Sequence, residues 1–176
     1  MTKDHKIVFT GTPGAGKTTA IAALSDSPPV VTDVQNTDSS LNKSTTTVGL
    51  DFGYFSLGDG HGVRLFGTPG QKRFEFMWRI LATDALGLVI LIDNSQPDSL
   101  ADCADYLDVY AELLPQMNCV LGVGRTLENP HPTLDDYSEL LATRELVFPV
   151  LAVDVRQRDD VLQLVDAILA QAETRA

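Results

Sequence analysis

Blocks of apolar residues alternate with polar ones along this chain, and the spacing inside each block names the element. Lys6-Ile7-Val8-Phe9-Thr10 is a short apolar run, the mark of a buried strand. Thr19-Ala20-Ile21-Ala22-Ala23-Leu24 predicts a helix that ends near Ser25, ahead of Pro28-Pro29. Val30 to Asp33 fits a short strand or a loop, and Asn36 to Thr47 is polar enough for a solvated loop. Val48 to Leu57 alternates as a strand does, Gly58-Asp59-Gly60 makes a tight turn, and Gly62 to Phe66 pairs back. The first strand of that hairpin is expected at a sheet edge. Gly67-Thr68-Pro69-Gly70-Gln71 is a second Gly/Pro loop, followed by a helix from about Arg73 to Ala82 with Phe74, Met77, Trp78 and Leu81 on one stripe. Leu86 to Ile92 is almost wholly apolar, as in a central strand covered on both faces. Beyond it come a helix over about Ser99 to Leu114, a strand at Cys119 to Val123, and a helix at Leu134 to Arg144. A strand at Phe148 to Val153 and a closing helix at Asp159 to Ala172 complete the series. Strands alternating with helices, without a linker or repeat, predict one α/β domain over residues 1–176 with a largely parallel sheet.

The chemistry concentrates in the first turn of that series. Gly11-Thr12-Pro13-Gly14-Ala15-Gly16-Lys17-Thr18 satisfies the phosphate-loop pattern GxxxxGK[ST], and it sits between a predicted strand and a predicted helix. Its glycines let successive N–H groups face one anion, and the helix adds its positive N-terminal end. Lys17 is suited to reach β- and γ-phosphates and the Thr18 hydroxyl to bind Mg²⁺, so residues Gly11 to Thr19 form the candidate phosphate cradle.

Composition narrows the partners. The chain has 176 residues, 44% hydrophobic and 21% charged, and a formal net charge of -11. That charge argues against a nucleic-acid or acidic-membrane surface, while a nucleotide needs only a backbone nest and one lysine. Cys103 and Cys119 have neither metal-site nor redox-pair spacing, which points to a reducing, cytoplasmic setting. The polar N-terminus, the short apolar runs and the absence of a lipidation motif imply no direct membrane anchor.

Two further strings follow the phosphate loop in order: Thr47-Val48-Gly49-Leu50-Asp51-Phe52, then Gly67-Thr68-Pro69-Gly70-Gln71-Lys72-Arg73-Phe74. Together with the loop they resemble the first and second switches of the Ras-like small GTPases, across essentially the whole chain. The Thr-Pro-Gly-Gln form is closest to the bacterial MglA-like branch. The resemblance implies a P-loop NTPase fold: a six-stranded, mostly parallel sheet with one antiparallel edge strand and helices on both faces. It implies a GTP/GDP switch with slow Mg²⁺-dependent hydrolysis, acting in polarity, motility or signalling. By position Thr47 would bind Mg²⁺ and the γ-phosphate, with Thr45 and Thr46 the alternatives for that one role. Gly70 would offer its N–H to the γ-phosphate, and Gln71, with Lys17, would carry the catalysis. No arginine lies between Thr18 and Gly62, so the first switch supplies no arginine finger, and Arg73 or Arg79 remain. The implied partner is a Roadblock-type homodimer on the switches, with Phe74 and Trp78 the aromatic pair to meet it or, equally, to lie in the core.

Three positions depart from the family pattern. Gly67 stands where a metal-side aspartate is usual, leaving Asp51 and Asp93 as candidate substitutes. The guanine-reading carboxylate aligns with Leu127, Glu128 comes one residue late, and Arg125 takes the place of the lysine that stacks on the base. In the last loop Asp154 is the one polar side chain of Val153-Asp154-Val155, facing the base or capping the final helix. These departures keep two other readings in view. One is a nucleotide-binding pseudo-GTPase or scaffold. The other is an ATP-using P-loop kinase, for which the chain lacks a basic lid and a substrate-side acid.

Overall fold

The computed structural model describes residues 4–35 and 47–176. The strands are β1 (Asp4–Gly11), β2 (Val30–Gln35), β3 (Thr47–Gly58), β4 (His61–Gly67), β5 (Gly87–Asp93), β6 (Asn118–Gly124) and β7 (Val150–Val153). The helices are α1 (Lys17–Leu24), α2 (Glu75–Ala82), α3 (Ser99–Val109), α4 (Leu134–Ala142) and α5 (Arg158–Arg175). A 3-10 turn over Lys72–Phe74 leads into α2, and another over Leu114–Gln116 follows α3.

The seven strands form one sheet in the order β2-β3-β4-β1-β5-β6-β7. The six expected strands are present, and Val30–Gln35 adds a seventh at the outer edge. β3 is antiparallel to both of its neighbours, while β4, β1, β5, β6 and β7 run parallel. The antiparallel strand is therefore β3, as expected, but β2 covers the edge that it was expected to form.

All seven residues of β5 are buried, which explains its unbroken apolar run. One face of the sheet packs on α1 and α5, with Ile21 and Leu24 meeting Val161, Leu164 and Ile168. The other face carries α2, α3 and α4 through Trp78, Tyr106, Leu107, Tyr137 and Leu141. The start of α5 is also tied to the end of α1: Arg158 Nη1 donates to Ala23 O (2.9 Å) and Leu24 O (2.7 Å). These carbonyls belong to the last turn of α1, where a helix leaves acceptors unpaired and a cation is favoured.

β1 lies between β4 on one side and β5 on the other, and the chain leaves its carboxyl end at the point where the strand order turns. In open α/β sheets a ligand crevice forms at that point, outside the carboxyl ends of the strands. The Gly11–Thr18 loop occupies it.

Candidate functional site

The phosphate loop is closed from within. Ala15 N–H donates to Thr12 O (3.1 Å), and Lys17 is the first residue of α1. Gly16 precedes it with φ 99°, a left-handed conformation that a side chain would strain, and no side chain caps the helix. The first-turn N–H groups are therefore open to an anion. Lys17 is 8% exposed, and its Nζ donates to Gly11 O (2.6 Å) and Thr12 O (2.9 Å). Burial lowers its amine from the ordinary 10.5 to about 8, opposed by the nearby Asp51 carboxylate. Thr12 Oγ1 is buried in the same loop with no hydrogen-bond partner among the described residues.

On the metal side, Thr18 Oγ1 donates to Asp51 Oδ2 at 2.5 Å. Asp51 on β3 pairs directly with Gly67 at the end of β4. A Cβ on Gly67 would lie 3.1 Å from Asp51 Oδ2, so the side chain absent from Gly67 leaves the space that the Asp51 carboxylate fills from the neighbouring strand. A hydroxyl and a carboxylate oxygen on one spot suit a hard divalent cation such as Mg²⁺. Among the described residues no cluster of three or more His, Cys, Asp or Glu could hold a metal ion, so Mg²⁺ would depend on phosphate oxygens and water as well. Of the two candidate substitutes, Asp51 lies beside Thr18 and Gly67, whereas Asp93 is engaged by Ser95 and Arg125.

The Gly67–Gln71 loop is pinned at three points. Thr68 N–H donates to Phe9 O (2.9 Å), and Thr68 Oγ1 donates to Thr10 Oγ1 (3.0 Å). Thr10 Oγ1 also accepts from the fully buried Tyr110 (2.9 Å). Trp78 Nε1 donates to Pro69 O (2.5 Å), and its ring stacks on Tyr106 with centroids 4.8 Å apart. Thus held, the loop brings Gly70 against the phosphate loop: a Cβ there would lie 2.8 Å from Pro13 N and 3.0 Å from Lys17 Nζ. Gln71 is next to it and exposed. Trp78 and Phe74 are buried, so of the two placements open to them, core or partner-facing, they take the core. The exposed apolar side chains of α2 are Phe76 (64%) and Ile80 (67%), while Arg79 pairs with Glu112.

A cleft of about 900 Å³ runs from Gly14–Thr19 to the loops after β5, β6 and β7, a size suited to a small-molecule ligand. Arg125, Glu128 and Asp154 all line it. Leu127 also lines it but is 93% exposed. Burial alone would raise the Asp93 carboxyl, but hydrogen bonds from Ser95 N–H (2.9 Å) and Oγ (2.6 Å) and the nearby Arg125 guanidinium (3.6 Å) hold it below the usual carboxylate value. Asn94 anchors the loop after β6 by donating to Asn129 O (2.6 Å) and Pro132 O (2.9 Å). In the last loop Asp154 forms a two-pronged pair with Arg156, Oδ1 to Nε at 2.9 Å and Oδ2 to Nη2 at 2.7 Å. That pair, with the Arg156 N–H, draws the Asp154 carboxyl down to about 2. Asp160, not Asp154, binds back at the start of α5, accepting from Asp154 N–H (2.8 Å).

Thr47 begins β3, its backbone paired with Gln35, but its side chain lies outside the described residues, as do Thr45 and Thr46 entirely. Sequence reasoning had no signal for Arg156 and passed over Thr68 and Tyr110. Arg156 stands two residues before Arg158 with no motif to mark it, and Thr68 and Tyr110 both reach Thr10 only through tertiary packing.

A solved G domain, that of the FeoB iron transporter of T. maritima, superposes on 97% of this chain and 99% of its own, with a TM-score of 0.66 and 18% identity. The chain has the fold of a P-loop GTPase G domain. An uncharacterized protein of Methanocaldococcus jannaschii, MJ1339, is 34% identical over 97 residues, which are 54% of this chain and 56% of that protein. The chain thus spans about half the length of the curated relative that it matches. No family model matches the chain. Among the described residues, no helix is long and apolar enough to cross a membrane.

Proposed function

We propose that this protein is a guanine-nucleotide switch that binds GTP and GDP with Mg²⁺ and hydrolyses GTP slowly. The observation that carries the reading is the convergence of Lys17, Thr18, Asp51 and Gly70 on the phosphate loop. These residues come from three separate parts of the chain, α1, β3 and the loop after β4, and share no purpose in a plain turn. Lys17 would exchange its two carbonyl partners for phosphate oxygens, which relieves the buried charge. Thr18, Asp51 and, by its place in the sequence, Thr47 would hold Mg²⁺, which when bound offsets charge on the phosphates. Gly70 would donate its N–H to the terminal phosphate, and the exposed Gln71 beside it would orient a water. Its exposure suits slow intrinsic turnover that rises when a partner covers it. The second switch string favours the MglA-like branch and a Roadblock-type partner, for which Phe76 and Ile80 offer an exposed apolar pair.

The test is binding of fluorescent GTP, GDP and ATP with and without Mg²⁺, followed by single-turnover hydrolysis. Gln71→Leu should abolish partner-stimulated hydrolysis and leave nucleotide affinity within about twofold, because the interaction it removes is made only in the transition state. Turnover equal to that of the native protein would refute the role of Gln71. A second reading, a nucleotide-holding scaffold without turnover, is favoured by the exposed Leu127 at the guanine-reading position; tight binding with no hydrolysis in any condition would establish it.

A further inference from the structure

Three hydroxyls meet behind the second Gly/Pro loop. Thr10, Thr68 and Tyr110 are each at most 2% exposed. They come from the end of β1, the residue after β4 and the residue after α3. Thr10 Oγ1 accepts from both of the others, from Thr68 Oγ1 at 3.0 Å and from Tyr110 at 2.9 Å, which occupies both lone pairs of that oxygen. Neither donor has another hydrogen-bond partner among the described residues. Apolar side chains of the same shape would fill this space without the risk of stranding a buried polar group, so packing alone does not account for the hydroxyls.

What they hold is the segment from Thr68 to Gly70. The β1–β4 ladder ends with Phe9 opposite Gly67, and Thr68 N–H extends it to Phe9 O. That backbone bond fixes the height of Thr68 along β1, and the hydroxyl bond is the second point, which fixes its orientation. Two residues on, the chain passes the phosphate loop so closely that a Cβ on Gly70 would lie 2.9 Å from Pro13 Cα. A small swing at Thr68 is therefore felt at Gly70, with no slack between the two loops to absorb it.

We propose that Thr68 and Tyr110 are positioning residues for the terminal phosphate: through Thr10 their hydroxyls set where Gly70 stands on the phosphate loop, and so how tightly a nucleoside triphosphate is held relative to its diphosphate. This rests on the nucleotide reading above. The diphosphate has no terminal phosphate for Gly70 to meet, so its affinity is the internal reference. The test is binding of the Mg²⁺ complexes of GDP and a non-hydrolysable GTP analogue to the full chain, native and with Thr68→Val, Thr68→Ser, Tyr110→Phe and the double variant Thr68→Val with Tyr110→Phe.

Thr68→Val should lower the ratio of triphosphate to diphosphate affinity by about tenfold, the worth of one hydrogen bond to a charged oxygen. Thr68→Ser keeps the hydroxyl and should keep the native ratio. Tyr110→Phe should shift the ratio the same way by a smaller factor, and the double variant should be no worse than Thr68→Val alone, because both act through one oxygen. A merely structural role would weaken both nucleotides equally in Thr68→Val, which would overturn the proposal. So would a serine variant that falls with the valine one, or two effects that add in full. Should Thr68→Val not fold, Tyr110→Phe decides, and an unchanged ratio there sinks the idea. Nucleotide bound with an unaltered ratio removes this proposal alone; no nucleotide bound by the native protein removes the reading beneath it as well.

Discussion

Lys17 carries its charge in a place that disfavours it, and that cost is measurable. Its amine is 8% exposed and, chiefly through burial, titrates near 8 in the folded protein instead of 10.5. Below pH 8 the amine is charged in both folded and unfolded chains, and the folded state bears the full desolvation cost. Between pH 8 and 10.5 the unfolded chain binds the proton that the folded chain has released, so stability rises with pH across that window. At about 1.4 kcal/mol per pH unit, the gain approaches about 3 kcal/mol. This is an upper figure, because the hydrogen bonds to Gly11 O and Thr12 O favour the charged amine. The assay is urea unfolding of nucleotide-free native protein and Lys17→Met at intervals from pH 7 to 10.5. The buried Tyr106 and Tyr110 hydroxyls, pushed up by burial, also affect stability at the alkaline end, but they are common to both proteins and cancel in the difference. The native protein should gain on the variant from pH 8 upward, and saturating GTP should flatten that gain by supplying the missing counter-charge. A difference that stays level across the range, or a gain confined below pH 8, would refute the account of Lys17 as a desolvated cation awaiting phosphate.

Other consequences follow from the same geometry. Asp51→Asn should weaken the Mg²⁺ dependence of nucleotide affinity by about 10-fold or more while sparing Mg²⁺-free binding, read by titrating the metal against a fluorescent nucleotide. Tyr110→Phe removes one donor to Thr10 and should cost about 1 kcal/mol in chemical denaturation, with the far-UV spectrum unchanged. Cys103 and Cys119 are both buried, with thiols pushed up by burial, Cys103 to about 12; neither should react with a thiol reagent at pH 8 until the protein is unfolded.

The parts of this molecule legible in its sequence are those whose chemistry dictates spacing. A phosphate nest needs its glycines, lysine and threonine at fixed offsets, so the loop, its flanking strand and its helix could be placed at once. β5 was equally plain because burial on both faces leaves no polar position. β2 was ambiguous: it is short, follows two prolines, and its pairing with β3 is a long-range event that local pattern does not encode. α2 misled for a different reason. With the turn that leads into it, it is apolar at Phe74, Phe76, Met77, Trp78, Ile80 and Leu81, so periodicity could not tell which aromatic faces the sheet. The sequence left Asp51 and Asp93 both open as substitutes for the aspartate absent at Gly67, because strand register is not written in local pattern. Only the register placing Asp51 opposite Gly67 shows that the two positions share one space.

The bond from Arg158 to the end of α1 joins residues 134 positions apart, and the same final helix supplies much of the apolar floor beneath α1. During synthesis, then, the phosphate loop leaves the ribosome well before the helix that steadies it. A growing chain that has not reached α5 has Lys17 and Thr18 on a helix with an exposed apolar face and unpaired terminal carbonyls. A chain without α5 therefore lacks both the apolar floor and the cation that steady the helix behind the phosphate loop.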